Sequence, residues 1–476
     1  MTAQALDSRS GEQQVERRLT RTYSLGDMVR HAVVFMVLIA PMGIFGNAFQ
    51  SAGGMAALSY LVGVVVMMMT ASSFGILAQA YQAAGSVFTY AGRAISAWVG
   101  WLAGWMLQLD YILVPPLLSL VAATNMAAFA PWLPPWGWIV VFVLINTGIN
   151  LRGLKTTRIA GWVFLALQAV VLGIFVVAAV AALASGAGRG FSLDPFYNSH
   201  FTLAVLGTGV SVACLSYLGY DTLAAMAEDA KGGGRQVGRA QIVSLCIVGI
   251  AFTAQMYLAS LLVKDPAALI ANGDPAGTAF YDTVRAAVGP WLATLTALAT
   301  ALAWGVANNM VAQVALSRLL HVMARDGALP KWLGKISVTR LVPTRAILVT
   351  AGLSLSICVG MSLRKNGITE LLSLVNFGAL TSFVVVHLSV LVRNFRAGER
   401  RIAGWFRCWV LPVVGIASLV YVMINQNVLA ARFGLFWLGI GGVILLVKWA
   451  RGRSPSMPSL AVTPSVDDAV VVGHRG

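Results

Sequence analysis

The stretch Leu38-Ile39-Ala40-Pro41-Met42-Gly43-Ile44-Phe45-Gly46 sets a proline and two glycines inside an apolar run. Cys214-Leu215-Ser216-Tyr217-Leu218-Gly219-Tyr220-Asp221 sets a small and polar cluster inside another. Proline removes a backbone donor and clashes with the preceding turn, while glycine accepts the dihedral angles of a broken helix. In hydrocarbon such breaks are tolerated only where they are buried in protein or line a cavity. The two interruptions each fall in the first apolar run of one half of the chain, which points to an inverted repeat with a site near the membrane midplane. Pro41, Gly46 and Gly219 are the helix-breaking positions.

The surroundings of these stretches require a membrane. Of 476 residues, 58% are hydrophobic and 11% charged, against about 25% charged in a soluble domain. Apolar runs of membrane length are expected at 30–50, 54–78, 98–127, 134–150, 159–184, 200–227, 239–263, 288–317, 346–361, 369–392, 408–424 and 430–448. The expected fold is therefore an all-α integral membrane protein of twelve transmembrane helices. Residues 30–184 form a first repeat of five, 200–392 a second repeat of five, and 408–448 two extra helices.

Lys and Arg outnumber Asp and Glu by 33 to 17. In a soluble chain that excess would suggest nucleic acid, but here it sorts by side. With residues 1–29 as a cytoplasmic tail, 27 of the 33 basic residues fall on the inner side of the twelve spans and 6 on the outer. This is the positive-inside pattern of a cell-membrane protein with both termini cytoplasmic. The partners expected are the lipid bilayer and a small molecule, with no nucleic acid. The polar, arginine-bearing start is too long for a secretory signal, and residues 454–476, with no helical period, are expected to be a disordered tail. Cys214, Cys246, Cys358 and Cys408 have no metal-like or disulfide-like spacing, so neither a metal site nor a cofactor is expected.

Several stretches resemble the amino acid–polyamine–organocation superfamily of permeases, and especially its putrescine-importer-like members. They are Pro41-Met42, Ala84-Gly85-Ser86-Val87-Phe88-Thr89-Tyr90-Ala91, Leu109-Asp110-Tyr111 and Leu218-Gly219-Tyr220-Asp221. Ser317-Arg318-Leu319-Leu320 with Met323 and Arg325-Asp326, and Asn376-Phe377-Gly378-Ala379-Leu380, complete the set. The resemblance implies helices 1 and 6 unwound around a substrate, alternating access by rocking of a bundle, and coupling to protons or sodium, or exchange. Many amino acid permeases of the superfamily have Gly-Ser-Gly-Ile-Phe in helix 1, whose bare N–H groups receive a substrate carboxylate. Here the aligned residues are Pro41-Met42-Gly43-Ile44-Phe45. Pro41 has no N–H to give, so an amine-rich substrate such as a diamine is favoured over an amino acid, with a neutral or cationic amino acid permease as the alternative.

The candidate binding residues follow from scarcity. Asp110 and Asp221 lie deepest in apolar spans among 17 acidic residues, and a carboxylate there costs about 3 kcal/mol on insertion scales. Tyr111, Tyr217 and Tyr220 lie near them in sequence, and aromatic faces beside carboxylates suit an ammonium group. The substrate set is completed by the carbonyl at Ala40, by Met42 and Gly43 and, as a wall, by Trp304. Asp221 alone could also act as a cap on the second half of its helix. Glu228 and Asp229 are a candidate inner gate, or a solvated charge cluster. Some proton-coupled relatives have a lysine in helix 5 where Gln168 stands, while Asn308, Asn309 and Ser317 offer scattered oxygens for sodium. A proton is the expected coupling ion. His387 is read as a bonded packing residue. No HExxH motif, Ser/His pair or paired acidic cluster supports an intramembrane enzyme, and no selectivity-filter run supports a channel.

Overall fold

The computed structural model describes residues 23–81, 87–152, 154–227, 230–325, 330–337, 342–364, 366–397, 404–426 and 428–452. The candidate gate residues Glu228 and Asp229 and the tail from residue 454 lie outside them, as does Ala84-Gly85-Ser86. The described residues are helical, with one isolated bridge between Tyr23 and Ala230 as their only β pairing. Among them, ten helices are long and apolar enough to cross a bilayer, or eleven if one bent pair counts as a span.

The first break sits one turn earlier than its proline. Helix α1 (Leu25–Met36) begins with a capping box, Ser24 Oγ accepting from Asp27 N and the Asp27 side chain accepting from Ser24 N. It ends at Val37, whose φ of 57° is the only positive value at a non-glycine residue in the described chain. The chain then re-enters helix as α2 (Ala40–Gly43), with Pro41 in its first turn. There the missing N–H would have been unpaired in any case, and the fixed φ favours helix. Pro41 thus starts the second piece rather than breaking the first. Gly46 lies within α3 (Phe45–Ser51) and is helical, not a break. Its bare α-carbon admits the Asp274 side chain, which a Cβ would strike.

Helix α4 (Ala56–Ala80) is followed by α5 (Val87–Ala94), α6 (Ala97–Phe129), α7 (Pro135–Arg152), α8 (Leu154–Ala184) and α9 (Leu203–Ser216). The second break follows α9. The chain turns by 44° into a 3₁₀ segment, Tyr220–Met226, through Gly219, whose φ of 120° favours glycine. A Cβ at Gly219 would also meet the Phe35 ring, so the two breaks are packed against one another.

Helix α10 (Gly233–Leu262) crosses α4 where Gly75 and Gly238 meet. A Cβ added at Gly75 would lie 2.9 Å from the α-carbon of Gly238, the close approach that drives helix association where the solvent is itself apolar. Short helices α11 (Pro266–Asn272) and α12 (Ala279–Ala287) lie against α3 and precede α13 (Pro290–Leu302). A π-turn at Ala303–Asn308 joins α13 to α14 (Asn309–Arg325). Helices α15 (Thr344–Ser362), α16 (Gly367–Ala397), α17 (Leu411–Ile424), preceded by a π-turn at Phe406–Val410, and α18 (Val428–Ala450) complete the chain.

Helix α7 is not among the ten apolar spans. It carries Asn146, Thr147 and Asn150, all buried. Asn146 donates to the carbonyl of Gly305, and Asn150 donates to the carbonyl of Met310 and to Gln313 Oε1. This amide ladder holds the π-turn and α14 in place. Each such interhelical bond in a membrane contributes about 0.6 kcal/mol on average.

Candidate functional site

The two breaks, α6 and the first π-turn enclose a cavity of about 700 Å³, its opening to solvent included. Phe35 and Met36 line it from α1, Ala40 from α2, and Asp110, Tyr111 and Val114 from α6. Ser216, Gly219, Asp221 and Thr222 come from the second break, and Trp304 and Asn308 from the π-turn. Among the described residues the lining contains no Lys, Arg or His.

The two carboxylates are within electrostatic reach of one another and of the Tyr111 hydroxyl. Neither forms an ion pair among the described residues, where the pairs are Arg30–Asp27, Arg189–Asp194 and Arg364–Glu370. Their surroundings differ. Asp221 Oδ1 accepts from the backbone N–H of Gly219 at 3.0 Å, so it fastens the broken backbone, while Thr222 Oγ1 donates to the Gly219 carbonyl at 2.6 Å. Asp110 Oδ1 is buried with no hydrogen-bond partner among the described residues.

Helix α6 is shaped to present Asp110. Pro115 and Pro116 lie inside it, and each lacks the N–H that would reach back four residues, leaving the carbonyls of Tyr111 and Ile112 without their helical donors. Behind the carboxylate, Gly378 of α16 brings two backbones together. A Cβ there would lie 2.9 Å from the Met106 carbonyl oxygen and 3.2 Å from Asp110 N.

The opposite wall comes from a π-turn, a local widening frequent at functional sites. It places Trp304 and Asn308, four residues apart, on the same cavity. Trp304 Nε1 and Asn308 Oδ1 are buried and unpartnered, as is Asp110 Oδ1. An unpaired buried polar atom costs about 1–3 kcal/mol. Three such atoms, on Asp110, Trp304 and Asn308, belong to residues that line this one cavity. Gly43 seats the tryptophan, since a Cβ there would stand 3.4 Å from the ring and 3.1 Å from Thr300 Cγ2.

Of the residues expected from sequence, Ala40, Asp110, Tyr111, Gly219, Asp221 and Trp304 meet at this cavity, and Pro41, Met42, Gly43, Gly46, Tyr217 and Tyr220 are not in its lining. Tyr217 points the other way, donating to the Tyr60 carbonyl at 2.9 Å and packing on Phe252. Tyr220 packs against Phe74 and Phe383, with its hydroxyl 3.7 Å from Met67 Sδ. Both rings are buried in the helix packing behind the break, which is why sequence nearness to Asp221 misplaces them. Phe35, Met36, Ser216 and Thr222 were missed. Asn308 was considered only as a sodium ligand, because a π-turn leaves no periodicity to read. Gln168 is buried, with Oε1 unpartnered, and is not in the cavity lining.

Comparison with known proteins is consistent along the chain. Residues 29–445 match the family model described as amino acid permease. The chain is 28% identical to the low-affinity putrescine importer PlaP of Escherichia coli (strain K12), covering 92% of this chain and 95% of that one. It is 26% identical to the branched-chain amino acid permease BcaP of Lactococcus lactis, over 85% of this chain and 89% of the relative. A probable GABA permease of Pseudomonas aeruginosa is 24% identical, over 86% and 88%.

Proposed function

This chain belongs to the amino acid permease family, and from that premise we propose that it carries a diamine or polyamine such as putrescine across the cell membrane by alternating access. It is a multi-pass membrane transporter of amino acids or amines and not an enzyme. The finer reading rests on one observation: the cavity holds two carboxylates, unpaired among the described residues, and no basic group in its lining. An amino acid would bring a carboxylate beside Asp110 and Asp221, whereas an ammonium group finds both acids, the Tyr111 ring and the freed Tyr111 carbonyl. The similarity to a putrescine importer supports the same direction.

In this reading the twelve spans, with both termini cytoplasmic, form two inverted repeats of five plus two helices, and the protein lies in the inner membrane. Asp110 and Asp221 receive ammonium groups, and coupling is to a proton at a carboxylate, or by exchange. The inward pull of the membrane potential on a cation, about 2.3 kcal/mol per charge at 100 mV, would assist uptake.

A second reading, an amino acid permease or exchanger without polyamine specificity, is favoured by Trp304 Nε1. It is an unpartnered donor on the cavity able to meet a substrate carboxylate. The test is melting of the purified protein against putrescine, longer polyamines and common amino acids, followed by uptake into proteoliposomes with and without a pH gradient. Stabilisation by amines alone is the expected result, and stabilisation by a neutral amino acid without response to any amine would overturn the polyamine reading.

A further inference from the structure

At the end of the bundle where α1 begins, arginines gather with no opposite charge paired to them among the described residues. Arg93 of α5 and Arg393 and Arg396 of α16 all lie within electrostatic reach of the Tyr81 hydroxyl, just past α4. Arg407, in the second π-turn, donates from Nε to Ser72 Oγ of α4 at 3.1 Å. Asn394, next to Arg393, donates from Nδ2 to the Cys408 carbonyl at 2.8 Å, which brings the π-turn that carries Arg407 against the same end of α16. None of the four arginines is in an ion pair among the described residues. Residues 398–403, with Glu399, Arg400 and Arg401, lie outside the described residues.

The cluster is held in place by neutral groups. Arg396 Nη1 donates to the Ala94 carbonyl at 2.9 Å and Nη2 to the Ile95 carbonyl at 3.1 Å, gripping the turn between α5 and α6. Arg393 Nη1 donates to Asn394 Oδ1 at 3.2 Å. A guanidinium has five N–H donors in a fixed fork, so each retains donors for another acceptor. Like charges fixed together repel, and in solution a mobile counter-ion would answer them. Here their neighbours identify a different one. Phe395, Trp405 and Phe406, interleaved with these arginines, are 79%, 59% and 65% exposed. Large aromatics outward beside arginines at helix ends are the pattern of a membrane–water interface. Basic pockets between helices at that level receive lipid headgroups.

We propose that Arg93, Arg393, Arg396 and Arg407 form a binding site for the phosphate headgroup of an anionic membrane lipid, whose acyl chains lie along Phe395, Trp405 and Phe406. Guanidinium forks match phosphate oxygens bidentately, and the bound headgroup would tie α4, the α5–α6 turn, α16 and the start of α17 together. The site is independent of the transported substrate.

The test compares melting of the detergent-purified protein with phosphatidylglycerol, with phosphatidylcholine and with 10 mM inorganic phosphate, and counts lipid adducts by native mass spectrometry. The expected result is a shift of several degrees with phosphatidylglycerol only, and retained anionic lipid. Arg93→Gln/Arg393→Gln leaves the grip of Arg396 on the backbone and the bond of Arg407 to Ser72 intact and should lose at least half of the shift and of the adducts. Arg318→Gln/Lys331→Gln removes the same charge elsewhere and should lose neither. Should the first pair fail to fold, Arg93→Lys/Arg393→Lys keeps charge without the fork and should still retain less lipid than the unaltered protein. Equal shifts with both lipids, a shift reproduced by free phosphate, equal losses in the two charge-removal pairs, or full retention in either Arg93/Arg393 variant would overturn the site.

Discussion

Asp110 and Asp221 line one cavity and carry the same group, yet the protein treats them differently. Asp221 sits on interrupted backbone and uses one oxygen to hold the Gly219 N–H. Asp110 sits in a continuous helix with a buried oxygen that has no hydrogen-bond partner among the described residues. The first acid is partly structural, since it organises the break that creates the cavity. In the proposed reading the second is left for an ammonium group of the substrate. A lone buried acid in a membrane protein therefore says little until its bonds are counted.

The largest effect expected from breaking this contrast is on transport. Asp110→Asn should lower putrescine uptake by about 10- to 150-fold, the worth of a hydrogen bond to a charged group, about 1.5–3 kcal/mol. Its melting temperature should stay close to that of the unaltered protein. Asp221→Asn can still accept from Gly219, so it should lose transport comparably with a small fall in stability, while Asp221→Ala should lose both. If Asp110→Asn and Asp221→Asn both transported normally, neither acid would be a substrate ligand.

Next in size is Gly219→Ala. It places a side chain at a φ of 120° and against Phe35, and a residue in such a conformation costs about 1–3 kcal/mol. A fall of several degrees in melting temperature is expected, and an unchanged value would mean that the break relaxes freely. Trp304→Phe keeps an aromatic face, though a smaller one, and removes the unpartnered N–H. Amine affinity should change less than threefold, because the indole N–H has no role toward a cation, whereas a large loss would support the amino acid reading.

The smallest effect is on pH dependence. Asp274, in the connection between α11 and α12 against Gly46, accepts from Thr278 N and Ala279 N. Burial still pushes its carboxyl above the usual 3.8, outweighing those bonds. A raised carboxyl favours the folded state most at low pH, and that contribution is lost as pH rises from near 3.8 through the folded value. Asp274→Asn should therefore flatten the melting temperature over that acid range. An unchanged acid-side slope would remove Asp274 as its source.

How much of this was readable beforehand depended on whether the signal was local. Apolar runs and breaks are local: the second break lies in the stretch first singled out, and the first turns at Val37, the residue just before its stretch. Pro41 shows the limit: a proline in a membrane run reads as the break itself, whereas the turn at Val37 precedes it and Pro41 opens the next helix. Gly46 is another, because its partner Asp274 is more than two hundred residues away. Asp110, Asp221 and Trp304 were legible because polar or large residues in such runs are scarce. Tyr217 and Tyr220 were misplaced because direction around a broken helix cannot be counted at 3.6 residues per turn. Asn308 depended on a π-turn that no pattern announces.

The most direct test of a two-carboxylate cavity is competition for counterflow in proteoliposomes. Vesicles loaded with unlabelled putrescine should accumulate labelled putrescine, and external cadaverine should suppress that accumulation while external leucine or glutamate leaves it unchanged. Failure to accumulate labelled putrescine, or suppression of that accumulation by leucine as fully as by cadaverine, would contradict the account.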